Sequence, residues 1–389
     1  MTTARLMLVV PSATSFHAFL RQVAVAWQDL GGRVAVATAE ELPGTASQDW
    51  PPGVERLPLP ALRNGSPWGL AVAARSLGRH VRIWRPELVH AHFTAAALVT
   101  AMARVPKDVL KLATFHGLHA SSETGSSSLI VRAAELLAIR RMDHTWVLNA
   151  EDETWLRNRA LGERVSRLPC CGVGCELTRF DPGRFSAADR RRTRELLGIP
   201  MDAEVVAFIG RRTAFKGFDT TVRAFRMIRS ARPTARLLLV GAEDPLHATG
   251  LSAAEREYLR NDSTVVDLGW QNDVSTALSI ATIVVFPSMR EGMPVNLMEA
   301  LAMGVPVVSS RVRGCRDIVE EGKTGVLVTR PTADDVARAA VQLLSDRSLR
   351  QAMARNALGS RQRFDRRAFV TAQLDAYHSL LRPSPPRCR

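Results

Sequence analysis

The 389-residue sequence predicts an α/β protein built from two successive parallel-sheet domains, and three observations lead there. Short apolar runs alternate with amphipathic stretches of helical period along nearly the whole chain. That alternation lapses around Pro169–Pro182 and then starts afresh at Glu204–Ile209. The length suits two domains, each able to bury its own core.

The first series opens on Arg5–Val10, an apolar strand, with Pro11–Ser15 as a turn. Phe16, Phe19, Leu20, Val23, Ala24, Trp27 and Leu30 recur at helical spacing, and Gly31-Gly32 stop that helix before a strand at Val34–Ala37. Helices are expected at Leu70–Trp84 and Ala95–Ala103, with an apolar approach at Leu88–Val89. A strand at Val109–Thr114 runs into Phe115, His116 and Gly117. A serine-rich loop, 121–128, precedes a helix over Leu129–Arg140; Thr145–Leu148, Glu151–Ala160 and Val165–Leu168 complete the half as strand, helix and strand.

The second series follows an arginine-rich helix, Ala187–Leu197. Its strands are expected at Glu204–Ile209, Arg236–Val240, Val265–Leu268, Ile283–Phe286, Val305–Ser309 and Gly325–Val328. The boundary lies between about 175 and 200, and Asp365–Leu380 reads as a helix before a frayed Pro-rich end. In such folds ligands bind outside the carboxyl ends of the strands.

Net charge is +14, nearly all of it arginine, since Lys107, Lys111, Lys216 and Lys323 are the only lysines. This suits an anionic partner without choosing one. Arg190, Arg191, Arg192 and Arg194 read as solvated helix surface. Arg75, Arg79 and Arg82 share one helix face, either turned to solvent or set to meet anionic lipid. Five cysteines, Cys170, Cys171, Cys175, Cys315 and Cys388, are too few for a disulfide framework, and their spacing fits no common zinc site. His90 and His92 alternate on an extended segment, where structural roles compete with an incomplete metal pair. No segment has the roughly 18 apolar residues of a membrane-spanning helix. No zinc finger or RNP motif supports a basic nucleic-acid-binding protein.

The stretch FPSMREGMPVNLMEALAMGVPVVSS, Phe286 to Ser310, carries most chemical information. A strand ends near Pro287, a loop bears Arg290, Glu291 and Gly292, and a helix starts at Pro294 or Val295. Proline tolerates that first turn because its missing donor has no partner there anyway. Glu299 then sits about 6 Å along the helix. The free N–H groups between the carboxylates form a phosphate seat, while carboxylates accept hydroxyls. Read by spacing alone, Glu291 is equally an ordinary loop carboxylate and Glu299 a partner for a nearby arginine. FIGRRTAFKGF places Arg211 and Lys216 where they can neutralise a diphosphate, with Arg212 turned away.

These motifs resemble the retaining glycosyltransferase family 4, or group 1 glycosyltransferases, over nearly the whole chain and most strongly from Phe208 to Val328. EGMPVNLMEALAMGVPVV carries the E-x7-E feature, GRRTAFKG the basic donor segment, and GCRDIVEEGKTGVLV the following strand and turn. The resemblance implies a GT-B fold, two Rossmann-like domains facing across a cleft. It implies an acceptor-binding domain at 1–180, a donor-binding domain at 181–364, and a C-terminal helix and tail at 365–389 that packs back toward the first domain. Arg211 and Lys216 are then expected at the donor diphosphate and Glu299 at the ribose. Glu291 and His116 are expected at the transferred sugar, and Gly292, Met293, Pro294, Val295, Asn296 and Leu297 in backbone contact with the nucleotide sugar.

The implied reaction is transfer with retention from a nucleotide diphosphate sugar, UDP-linked rather than GDP-linked, with no metal or other cofactor. The expected acceptor is a saccharide or lipid-linked saccharide of cell-surface polysaccharide synthesis, as in bacterial capsule, exopolysaccharide and lipopolysaccharide enzymes. The expected location is the cytoplasm, peripherally on the inner membrane face, with no nucleic acid bound. A GT-B nucleotide-sugar epimerase is the alternative enzyme. Two departures from the family pattern stand out: Gly172-Val173 are followed by Gly174 where aspartate is usual, and Pro11–Ser15 lack a glycine pair.

Overall fold

The computed structural model describes residues 4–39, 49–60, 66–119, 129–244, 247 and 249–381. The serine-rich loop 121–128, the Pro-rich end 382–389 and Cys388 lie outside them. The chain divides into two compact units, Met1–Cys170 with Ala368–Arg389, and Cys171–Arg367.

The first unit holds seven parallel strands: β1 (Arg5–Val10), β2 (Arg33–Ala39), β3 (Glu55–Leu59), β4 (Leu88–His92), β5 (Leu110–Phe115), β6 (His144–Val147) and β7 (Val165–Arg167). Their order is β3-β2-β1-β4-β5-β6-β7, so the winding reverses between β1 and β4. β1 is apolar on both faces and buried from Leu6 to Val10, the mark of a central parallel strand covered on two sides. β3 escapes the sequence reading because ERLPL neither alternates cleanly nor forms an apolar run. Pro58 is tolerated there because β3 lies at the sheet edge and pairs with β2 alone.

The helix expected over 16–30 is two helices, Ala13–Phe19 and Arg21–Asp29, the first capped by Ser12. The break at Leu20 leaves the apolar stripe intact, since Phe16, Leu20, Val23, Ala24 and Trp27 are all buried. Phe19 leaves the core to lie against the His116 ring, 5.3 Å between centroids, and Leu30 is exposed.

The chain's last helix, Arg366–Leu381, buries Phe369, Gln373 and Tyr377, one face at four-residue spacing. Tyr377 reaches the core of the first unit between Trp27 and Trp146, at 5.6 and 5.7 Å between ring centroids. Its hydroxyl lies 2.6 Å from His90 Nδ1 and accepts a hydrogen bond from Gln373 Nε2. Burial holds His90 well below the ordinary histidine range, and its Nε2 pairs with Thr114 Oγ1 at 2.8 Å.

The second unit holds β8 (Val205–Ile209), β9 (Arg236–Val240), β10 (Val265–Asp267), β11 (Ile283–Phe286), β12 (Val307–Ser310) and β13 (Gly325–Val328), in the order β10-β9-β8-β11-β12-β13. This is the doubly wound pattern again, with the reversal between β8 and β11. The division from the first unit falls earlier than residue 180. Cys175 N–H donates to Phe364 O at 2.8 Å, Arg366 N–H donates to Cys175 O at 3.0 Å, and Leu177 and Phe180 join the second core. The linker glycine that departs from the family pattern has a reason: Gly174 has φ +62°, and a Cβ there would meet Phe364 O at 2.7 Å.

The helix Ala187–Leu196 buries none of its residues, which suits its run of arginines. Arg190 and Arg194 depart from plain surface: Arg190 donates to Pro182 O at 2.8 Å, and the Arg194 guanidinium fastens loops by donating to the carbonyls of Pro200 and Ala203, at 2.9 and 3.0 Å, and of Ile280 at 3.2 Å.

Replacing Tyr377 by Phe strips the buried His90 Nδ1 of its hydrogen-bond partner. We expect a loss of about 1–3 kcal/mol from the first unit's unfolding transition in urea. A change below about 0.5 kcal/mol would show that this hydrogen bond does not hold the last helix.

Candidate active site

The donor-type motifs converge where the second sheet reverses direction. β8 ends at Ile209, followed by Gly210, Arg211 and Arg212, a short 3-10 turn Ala214–Lys216, and the helix Phe218–Ala231. β11 ends at Phe286, followed by the loop carrying Ser288, Arg290 and Glu291, and the helix Val295–Ala302. Two glycines let these loops approach. Gly217 has φ +77°, and a Cβ there would lie 2.3 Å from Pro287 O. Gly314 abuts the second loop, where a Cβ would meet Gly292 O at 2.1 Å.

This approach brings Lys216 and Glu291 together. Lys216 Nζ donates to Glu291 Oε1 at 2.6 Å, and Ser288 Oγ donates to the same oxygen at 2.7 Å. Both side chains are mostly buried, at 19% and 7% exposure, so the pair is stronger and more fixed than a surface one. Oε2 of Glu291 makes no hydrogen bond among the described residues, leaving one carboxylate oxygen for a ligand.

Arg211 pairs with Asp244, and Arg212 forms a fork with Asp267. Phe215 gathers three cations around its ring, Arg211 and Arg290 at 5.4 Å and Lys216 at 5.7 Å from the centroid. Arg290 forms no ion pair among the described residues. Three cations against the carboxylates Asp244 and Glu291 leave a net positive corner beside a helix N-terminus. Such a corner attracts an anion. The sequence reading passed over Arg290; its place in the loop one residue before Glu291 was the available signal.

Gly292, Met293, Pro294 and Val295 form the entry to the helix Val295–Ala302, with Pro294 at its cap position. Asn296 secures that helix, donating from Nδ2 to Ile209 O at 2.7 Å and accepting Leu297 N–H at 3.0 Å. Its side chain is spent on tying the helix to the end of β8, and Leu297 is buried.

Glu299 is in a contrasting state. It is only partly exposed, and its carboxylate makes no hydrogen bond among the described residues. Burial raises its pKa to about 8, against the opposing pull of Arg366 and Arg179 and with reinforcement from Asp273 and Glu176. It is therefore not a plain ion-pair partner of an arginine. It is a carboxyl group lacking the hydrogen bonds that a ligand's hydroxyls could supply.

In the first unit His116 follows β5. Phe93 stacks on its ring, 4.0 Å between centroids and 15° between planes. The chain beyond it is held by two buried carboxylates that the sequence reading missed: Leu118 N–H donates to Asp152 at 3.0 Å, and His119 N–H to Glu135 at 3.1 Å. Glu135 also accepts the Thr94 hydroxyl at 2.8 Å. An acid inside the otherwise apolar LLAI surroundings of its helix was the readable sign. His90 and His92 are buried members of the same ring cluster. Among the described residues no group of three or more His, Cys, Asp or Glu could hold a metal ion.

Residues 189–359 match the family described as glycosyl transferases group 1, and residues 17–171 match the glycosyl transferase 4-like domain. The chain belongs to these glycosyltransferases. Among curated relatives, the enzyme is 29% identical over 320 residues to the D-inositol 3-phosphate glycosyltransferase of Acidothermus cellulolyticus, spanning 76% of this chain and 67% of that one. It is 28% identical over 403 residues to the protein of the same description from Saccharomonospora viridis, spanning 95% and 90%. The fold is GT-B. The sucrose-phosphate synthase of Thermosynechococcus elongatus superposes with a TM-score of 0.80 at 21% identity, covering 97% and 99% of the two chains. HepE of Anabaena, in complex with UDP-glucose, does so with a TM-score of 0.73 at 20% identity, covering 97% and 100%.

The proton on Glu299 gives a sign that can be tested. Its folded pKa of about 8 lies above the 4.5 of an ordinary glutamate, so between those values the native chain holds a proton the unfolded chain has lost. Stability contributed through this group is therefore greatest at low pH and declines as pH rises from about 5 to 8. Glu299→Gln removes that decline. Urea melts across this range check it, and an unchanged slope in the variant would refute the raised pKa.

Proposed function

We propose that the enzyme transfers a sugar from a UDP-sugar, with retention at the anomeric carbon, to a saccharide or lipid-linked saccharide acceptor. The observation that carries the donor half is the contrast between two carboxyl groups around one helix start. Glu291 is anchored through one carboxylate oxygen by Lys216 and Ser288, whereas the Glu299 carboxyl makes no hydrogen bond among the described residues. We assign the free oxygen of Glu291 to hydroxyls of the transferred sugar and Glu299 to the ribose hydroxyls. The helix N-terminus between them, with backbone from Gly292 to Leu297, suits the diphosphate. UDP is favoured over other nucleotides by the UDP-glucose bound to HepE. The inositol phosphate named for the curated relatives makes a phosphorylated polyol a second acceptor class to try.

On this reading Lys216, Arg211 and Arg290 stabilise negative charge as the sugar–phosphate bond breaks, and no step calls for a divalent ion. The departing diphosphate takes the acceptor proton on the face where the new bond forms. Glu291 positions the sugar through its second carboxylate oxygen, and we assign it no nucleophilic role. His116 contributes from the acceptor-binding unit. An epimerase reading has less support, since the second unit offers no acid and base pair free to move a proton on the sugar.

We further assign the first unit a peripheral place on an anionic membrane at the cytoplasmic face. A groove of about 400 Å³ runs along the helix Pro67–Trp84, lined by Arg75, Arg79, Arg82 and Arg104. None of the four forms an ion pair among the described residues. Trp68, Val72 and Ile83 are exposed, and helical spacing sets them on the same face as the first three arginines.

Two experiments separate these assignments. Glu291→Gln is expected to lower kcat by about 100-fold or more while UDP affinity, read by calorimetry, changes less than about threefold. Lys216→Ala should weaken both; full turnover in either variant would sink the corresponding role. For the membrane, vesicles rich in phosphatidylglycerol should capture the protein and pure phosphatidylcholine should not. The triple change of Arg75, Arg79 and Arg82 to Glu should abolish capture while leaving turnover of a water-soluble acceptor intact. Equal capture by both vesicles would overturn the surface assignment.

A further inference from the structure

Three imidazoles of the first unit pack ring to ring, His90 and His92 on β4 and His116 beyond β5. Centroids are 4.0 Å apart for His90 and His92 and 5.5 Å apart for His92 and His116. His92 Nδ1 and His116 Nε2 lie 3.2 Å apart, so one of these nitrogens carries the shared proton. Burial holds His90 and His92 well below the ordinary histidine range and His116 at about 3, so all three rings are neutral at physiological pH.

His92 is fully buried, and its Nε2 has no hydrogen-bond partner. That orphan decides the tautomer. Were His116 the donor, the proton of His92 would sit on Nε2 as a buried N–H with nothing to accept it. Were His92 the donor through Nδ1, the unpaired atom would be a bare lone pair, and buried orphan acceptors are tolerated more often than buried orphan N–H groups. The second arrangement puts the proton of His116 on Nδ1. That nitrogen makes no hydrogen bond among the described residues and is not among the buried unpaired atoms.

We propose that His92 is a positioning residue: it fixes His116 as the Nδ1–H tautomer, so that His116 acts as a neutral hydrogen-bond donor to a hydroxyl of the bound sugar and not as a base. Two further features serve the same end. Phe93 and Phe19 pin the ring of His116 from two sides. Phe93 itself has φ +72°, an uncommon conformation for an aromatic residue, directly after His92 at the start of the helix Phe93–Met102. The functional half of this inference rests on the reading that His116 faces the transferred sugar; the tautomer does not.

The test has two independent readouts. In the unmodified, 15N-labelled protein, long-range 1H–15N correlation should show His116 protonated at Nδ1 alone; protonation at Nε2 overturns the assignment whatever the kinetics. His92→Leu should free the tautomer and lower kcat about tenfold or more, with UDP affinity within about twofold, because orientation and not nucleotide binding is lost. His92→Asn, whose side-chain amide can stand where Nδ1–H stood, should restore kcat to within about threefold of the parent. Equal impairment of the Leu and Asn variants, or unchanged kcat in His92→Leu, would refute a positioning role. Full kcat in His116→Ala, with the tautomer as stated, would refute the sugar-facing reading while leaving the hydrogen-bond assignment standing.

Discussion

The ion pair between Lys216 and Glu291 is the constraint on which the second unit's site depends. It joins the loop after β8 to the loop after β11 across the point where strand order reverses. A mostly buried pair costs desolvation on both sides, and geometry alone makes it tolerable. Here the geometry comes from the backbone: Gly217 lets its loop lie against Pro287 O, which sets Lys216 opposite Glu291. Ser288 supplies a further donor to the same oxygen. Both loops are thereby fixed before any ligand arrives, so little ordering entropy is left to oppose binding.

Seen from that pair, the two glutamates of the E-x7-E pattern are chemically different groups despite their common side chain. Glu291 sits among cations and hydrogen-bond donors, and Glu299 sits where burial favours the proton. A carboxyl without hydrogen bonds in a partly enclosed place is unfavourable on its own, and such groups persist where a ligand completes them. A diol offers two hydroxyl donors, which would favour the ionised form and draw its pKa down again. A hydroxyl donor at Glu299 would thus couple its own binding to loss of the carboxyl proton.

The doubly wound strands were legible because parallel strands buried on both faces read as continuous apolar runs, and β1, β8 and β11 are such runs. β3 was not legible, because an edge strand needs only one apolar face and can carry Pro58. The break at Leu20 was hidden for the opposite reason: its apolar period continues through it. At the site, Glu291, Glu299, Arg211 and Lys216 stood out by motif and spacing, yet the meeting of Lys216 with Glu291 is a tertiary fact separated by 75 positions. Asp152 and Glu135 hold backbone N–H groups, and the only hint in the sequence was an acid set among apolar residues at Glu135. The roles of Asp244 and Asp267 as partners of Arg211 and Arg212 are hidden in the same way.

The two units handle polarity by opposite means. The second concentrates full charges at its strand ends, pairing most of them and leaving Arg290 over. The first keeps a core of uncharged hydrogen-bonding rings, His90, His92, His116 and Tyr377, closed off by the chain's last helix. Charge suits a diphosphate, whose own charge grows as the sugar leaves. Neutral donors suit a sugar, whose ring becomes positive in the same step and would be opposed by a nearby cation. Burial that keeps His116 unprotonated is therefore the first unit's counterpart of the ion pair in the second.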